Sequence, residues 1–168
     1  MQTNLHVDWG GGIKSRQDLD LVFSSGAQQA TVGSIAAENP SLFHEWLELF
    51  GGHRLILGAD LKFEKVATRG WKELSEIHWK DFFRIHITQG VKTIISTDIA
   101  KDGMLEGPST DLYRQMIEAY LDIQLVASGG ISNITDLAVL KEVGCFGAIV
   151  GKAIYEQKIT LFQIQSFI

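Results

Sequence analysis

The stretch Val7-Asp8-Trp9-Gly10-Gly11-Gly12-Ile13 and its counterpart Ala127-Ser128-Gly129-Gly130-Ile131 decide the fold. Each brings an apolar run to a Gly-Gly-Ile turn. Each is answered 21 positions later, Gly12 by Gly33 in Val32-Gly33-Ser34 and Gly130 by Gly151 in Val150-Gly151-Lys152. An offset of 118 residues superposes these segments and also lays Asp18 on Asp136, Leu19 on Leu137, Gly26 on Gly144 and Ala30 on Ala148. The chain therefore holds two copies of one βαβ unit. Glycines at strand ends let backbone N–H groups approach a phosphate, and the N-terminus of the following helix adds partial positive charge. A duplicated grip of this kind suits a ligand with two phosphates.

Working outward, short apolar runs at Leu5–Trp9, Gln29–Gly33, Leu55–Leu61, Thr93–Asp98, Gln124–Ser128 and Gly147–Gly151 read as strands. They lack strict alternation, the pattern of parallel strands buried on both faces. Helical patterns lie between them at Asp18–Ser25, Pro40–Leu49, Trp79–Gln89, Asp111–Tyr120 and Asp136–Val143. Asn39-Pro40 opens the second of these with a cap and a first-turn proline. Strand and helix in alternation predict a parallel α/β sheet in one domain over residues 1–168. The stretch Phe63–Thr68, before Gly70-Trp71, reads as a small hairpin or a loop, and 159–168 as a short last helix.

The 168 residues are 45% hydrophobic and 21% charged, with 2 prolines and a net charge of −5, an ordinary globular composition. Scattered Lys and Arg argue against a nucleic-acid surface, and no apolar run is long enough to cross a bilayer. The opening MQTNLHVD lacks a signal-peptide core, so the expected address is cytoplasmic. The single Cys145 cannot form an internal disulfide and reads as a small buried hydrophobe. His6, His44, His53, His78 and His86 have no paired metal-ligand spacing and read as structural or solvated. No metal or organic cofactor is expected. Trp9, Trp46 and Trp79 read as packing residues.

In parallel α/β folds the ligand lies at the carboxyl ends of the strands. Here Asp60 closes one apolar strand, Thr97-Asp98 another, and Lys101-Asp102-Gly103 follows. Each has a plainer reading: Asp60 as a turn cap, Thr97 as a β-branched strand residue, Asp102-Gly103 as a turn dipeptide. Beside two phosphate grips, Asp60, Thr97 and Asp102 together point to chemistry.

These stretches, with Arg69-Gly70-Trp71 and Ser96-Thr97-Asp98-Ile99-Ala100-Lys101-Asp102-Gly103-Met104-Leu105, resemble the phosphoribosylformimino-aminoimidazole carboxamide ribotide isomerase family of histidine biosynthesis. The likeness runs in order to about Lys158. It implies a (β/α)₈ TIM barrel of the ribulose-phosphate-binding type, here reduced to about six βα units and beginning at the third barrel strand. By the resemblance, two further units, together on the order of 70 to 80 residues, precede it, and the aspartate used as general base lies on the first of them. The family substrate is a ribotide with a phosphate at each end, isomerised from aldose to ketose by an Amadori rearrangement that uses one acid and one base. The resemblance implies Asp60 or Asp102 as the acid, with Thr97 hydrogen-bonding a substrate hydroxyl or an aspartate. It places one phosphate on Gly11, Gly12, Gly33 and Ser34, and the other on Gly129, Gly130, Gly151 and Lys152. Lys152 has a second reading as a solvated helix-start residue, and Trp71 is expected on a loop, stacking on the aminoimidazole.

The cyclase subunit of imidazole glycerol phosphate synthase shares the half-barrel repeat, but Ser34 stands where it typically shows an Asn-Ser pair. A non-catalytic phosphate-binding remnant is the remaining alternative. Six barrel strands would leave two open edges, which invite association with another chain.

Overall fold

The structure, a computed structural model, describes residues 4–167. In chain order the elements are β1 (Asp8–Gly10), α1 (Arg16–Ser24), β2 (Gln29–Val32), α2 (Ser34–Glu38), α3 (Pro40–Phe50) and β3 (Leu55–Lys62). A hairpin of β4 (Lys65–Thr68) and β5 (Glu73–His78) follows, then α4 (Trp79–Thr88), β6 (Thr93–Asp98) and α5 (Thr110–Ala119). The chain continues with β7 (Gln124–Ser128), α6 (Ile134–Val143), β8 (Gly147–Ile149), α7 (Lys152–Tyr155) and α8 (Leu161–Phe167). The last helix expected over 159–168 is seen as α8 up to Phe167; Ile168, like Met1–Thr3, lies outside the described residues.

Six parallel strands stand in the order β1-β2-β3-β6-β7-β8, curled into a half-barrel, and the antiparallel β4–β5 hairpin branches from β3. Register carries Gly10 to Thr31, Thr31 to Ile56, Gly58 to Ile95, Asp60 to Thr97, Thr97 to Ser128 and Ser128 to Ile149. Because strand side chains alternate, these positions share the concave face. The opposite face carries Ala30, Val32, Leu55, Leu57, Ala59, Leu61, Ile94, Leu125 and Ala127, all at most 2% exposed beneath the helices. Phe43, Trp46, Trp79, Phe82, Phe83, Tyr113 and Met116 close that core from the helix side, and burial of each such side chain contributes roughly 1.5–3 kcal/mol.

The strands are therefore not buried equally on both faces. Gly58, Asp60, Ile95 and Val126 are only half-buried and Ile149 is exposed, because the concave face opens on a cavity instead of a second packed layer. Trp9 also departs from expectation. It is 54% exposed on the edge strand β1, its indole N–H bonded to the carbonyl of Gly11 at 3.2 Å, while Trp46 and Trp79 do pack in the core.

Local chemistry explains why the repeat folds alike twice. Asp18 accepts hydrogen bonds from the backbone N–H groups of Lys14 and Ser15 and from the Ser15 hydroxyl, closing a capping box at the start of α1. Those bonds hold its carboxyl below the usual carboxylate range. Asp136 does the same for Ser132 and Asn133 at the start of α6. β3 turns back into β4 at Phe63-Glu64, both left-handed at φ 51° and 62°, the backbone of a tight two-residue turn matched to strand twist.

Candidate active site

A cavity of about 990 Å³ opens on the concave face at the carboxyl ends of the strands. Gly10 at the end of β1 with Gly11 and Gly12 after it, and Gly33 and Ser34 at the start of α2, form one wall, and Asp60 of β3 and Thr97 of β6 stand opposite on paired positions. Gly11 and Gly12 adopt φ of 97° and 76°, and a Cβ on either would meet nothing within 4 Å. Their backbone is thus bare toward the cavity. Lys14 and Lys72 bring positive charge to the same rim, where Arg69 is paired with Glu38.

The β4–β5 connection folds over this cavity. Arg69, Gly70 and Trp71 are all left-handed, with φ of 53°, 63° and 68°, a costly run for two residues with side chains. Arg69 holds it in place: its backbone N–H donates to the Ser34 hydroxyl at 3.0 Å, and its guanidinium bridges Glu38 at 3.1 Å and Glu73 at 2.9 Å. The Trp71 indole N–H then reaches the Asp60 carboxylate at 2.8 Å, with the ring 47% exposed.

The second grip is assembled differently. Gly129 and Gly130 are buried, because the loop from Asp98 to Ser109 lies across them. A Cβ on Gly129 would come 3.0 Å from the Asp98 carbonyl and 3.5 Å from the Asp102 backbone, and one on Gly130 would meet the Gly107 carbonyl at 2.3 Å. Asp98 organises the loop. Its carboxylate accepts the Ala100 N–H and the Ser109 hydroxyl, and its carbonyl accepts the Lys101 and Asp102 N–H groups. Lys152, at the start of α7 after Gly151, donates to the Gly103 carbonyl at 2.7 Å and pairs with Glu156 at 3.5 Å. Tyr113, buried under β7, donates to the Ser128 carbonyl at 2.6 Å.

Of the residues singled out from sequence, Gly11, Gly12, Gly33, Ser34, Asp60 and Thr97 line one cavity, with Trp71 bonded to its Asp60. Asp102, Gly129, Gly130, Gly151 and Lys152 belong to a second cluster joined to the first through the Thr97–Ser128 register pair. The sequence alone does not single out Asp8, Thr31, Arg69 or Asp98 as site residues. Asp8 and Thr31 line the cavity, the Thr31 hydroxyl donating to the Asp8 carboxylate at 2.6 Å. Desolvation raises the Asp8 carboxyl above its ordinary value, and the Thr31 bonds partly offset the rise. Only the period-2 placement of both residues on the concave side could have flagged them.

Burial pushes the half-buried Cys145 thiol up to about 11, which keeps it protonated and unreactive. Among the described residues no three His, Cys, Asp or Glu side chains gather as a metal site. Among them, too, no helix is long and apolar enough to cross a membrane.

The profile of the family described as histidine biosynthesis protein matches residues 1–160. A protein of Bacteroides thetaiotaomicron is 48% identical over 99% of this chain and 70% of its own length. One of Flavobacterium psychrophilum is 50% identical over 99% of this chain and 69% of its own, and one of Cytophaga hutchinsonii 46% identical over 98% and 69%. Each is named 1-(5-phosphoribosyl)-5-((5-phosphoribosylamino)methylideneamino) imidazole-4-carboxamide isomerase.

Proposed function

As the chain belongs to the histidine biosynthesis protein family, we propose that it performs the isomerase step its relatives are named for, on a ribotide with a phosphate at each end. The observation that carries the reading is the pairing of Asp60 with Thr97 across β3 and β6, in one cavity with the Gly11-Gly12 and Gly33-Ser34 turns. The six parallel strands correspond, on this reading, to the third to eighth strands of a (β/α)₈ barrel.

The acid protonates the ribose ring oxygen, the C1–O bond breaks, and the nitrogen lone pair closes a protonated imine. A base then removes the C2 proton to give an enolamine, which collapses to the ketose. Asp60 or Asp102 supplies the proton and Thr97 holds a substrate hydroxyl or an aspartate. The backbone N–H groups around Gly11, Gly12, Gly33 and Ser34 take one phosphate, and those around Gly129, Gly130, Gly151 and Lys152 the other. Trp71 covers the imidazole. We assign the base to the portion of the relatives that lies outside the match.

The outer edges of β1 and β8 have no strand partner among the described residues, so the half-barrel is expected to associate through them with strands of another chain. The test is ribotide turnover by the 168-residue chain alone, and by the chain mixed with the part of the Bacteroides thetaiotaomicron isomerase outside the match. Turnover in the mixture only is the expected result. Turnover by the chain alone would refute the placement of the base. No turnover in either would overturn the enzymatic reading in favour of a phosphate-binding remnant.

A further inference from the structure

Equivalent positions of the two repeats make the same long-range reach. Ser34 follows Gly33, and its hydroxyl accepts the N–H of Arg69, 35 residues onward. Lys152 follows Gly151, and its ammonium donates to the carbonyl of Gly103, 49 residues back. A hydroxyl and an ammonium share little chemistry, so the common factor is the target. Both bonds end on the main chain of a left-handed residue, Arg69 at φ 53° and Gly103 at φ 70°. Arg69 lies two residues before Trp71, and Gly103 directly follows Asp102.

A left-handed loop persists only where its surroundings hold it. Ser34 anchors one such loop to the first grip, as Lys152 anchors the other to the second. The second loop is also held from behind, where Gly129 packs against the Asp102 backbone.

We propose that the Ser34 and Lys152 side chains are positioning residues, each tying one phosphate grip to the loop that carries a reacting or covering group. This rests on the isomerase reading above and deepens it. The backbone of each turn takes the phosphate, while the side chain reports its occupancy to Trp71 or to Asp102. A phosphate that pins the start of α2 or α7 thereby pins the corresponding loop.

Hydrogen exchange followed by mass spectrometry on the 168-residue chain tests this, with and without saturating inorganic phosphate. In Lys152→Met, exchange within 99–107 rises about tenfold, the scale of one charge-assisted hydrogen bond, while 69–72 keeps the wild-type rate. Ser34→Ala gives the converse, and Lys152→Arg restores protection. Unchanged exchange at 99–107 in Lys152→Met, or a rise spread over the whole chain, overturns the proposal. In the turnover assay Lys152→Met lowers kcat with KM within about twofold of wild type; the opposite split marks a phosphate ligand and also overturns it. Absence of turnover in the wild type would sink the isomerase reading alone, since the exchange comparison needs no substrate.

Discussion

The Trp71 indole N–H donates to the Asp60 carboxylate at 2.8 Å, across the mouth of the cavity. The proposed cover and a candidate acid are thus bonded to each other. On the proposed reading a substrate parts them, and the ring then stacks on it. Replacing Trp71 with Ala is expected to raise KM for the ribotide about tenfold, the cost of one aromatic contact. Trp71→Phe, which keeps a ring and loses the N–H, should stay within about threefold of wild type. Steady-state kinetics on the reconstituted enzyme distinguish the two, and an unchanged KM in Trp71→Ala would refute the covering role.

The two candidate acids can be separated by amide substitution. Asp60→Asn and Asp102→Asn are each nearly isosteric, so fold should persist by circular dichroism. Loss of the proton donor should lower kcat by about 10²–10⁴, whereas loss of a substrate hydrogen bond alone should act mainly on KM. Equal, small effects at both positions would remove the carboxylates from the chemistry.

Glycine-to-alanine changes should differ between the grips. Gly130→Ala drives a methyl to 2.3 Å from the Gly107 carbonyl at φ 81° and is expected to destabilise the fold by about 2–4 kcal/mol. Gly11→Ala meets open space, so only its φ of 97° costs stability, about 1–2 kcal/mol, while its methyl falls at the proposed phosphate site. Denaturant melts should therefore rank Gly130→Ala as the more damaging, and phosphate titration should show weakened binding in Gly11→Ala despite its milder melt.

His86 is fully buried, set edge-on against Phe43 and Phe82, with Gln89 on its Nδ1. Burial lowers its pKa below the ordinary 6.5. A depressed folded-state value means the unfolded chain takes up the proton first, so stability is intact above pH 6.5 and falls as pH drops through the folded value. Replacing His86 with Leu should flatten that acid limb. From pH 7.5 to pH 5 the urea midpoint of the wild type should fall relative to that of His86→Leu, and parallel curves would show that His86 does not titrate with unfolding.

The order of strands and helices was legible because parallel strands and amphipathic helices write their periods directly into the chain. Asp18 and Asp136 stood out in the repeat because each must close the same capping box. Less legible was whatever depends on how the sheet curls. The concave positions Asp8 and Thr31 look like ordinary strand residues until the curvature brings them onto one cavity with Asp60. The short helix α2 leaves no periodic trace in one or two turns, and α7 shows in the sequence only as a helix start at Lys152. Trp9 was expected to pack, yet an edge strand gives its outward side chain no helix to lie against. Lys152 offered two readings, phosphate ligand or solvated residue, and its bond to Gly103 is a third that only tertiary structure supplies.

The β4–β5 hairpin follows β3 and lies outside both copies of the repeated βαβ unit. On the proposed reading, two grips of one pattern would accept a bisphosphate in either direction with similar contacts. Discrimination between head-first and tail-first entry would then fall to a part of the molecule outside the repeat, and a hairpin whose loop is bonded to Ser34 and Asp60 would give the cavity its polarity as well as its cover.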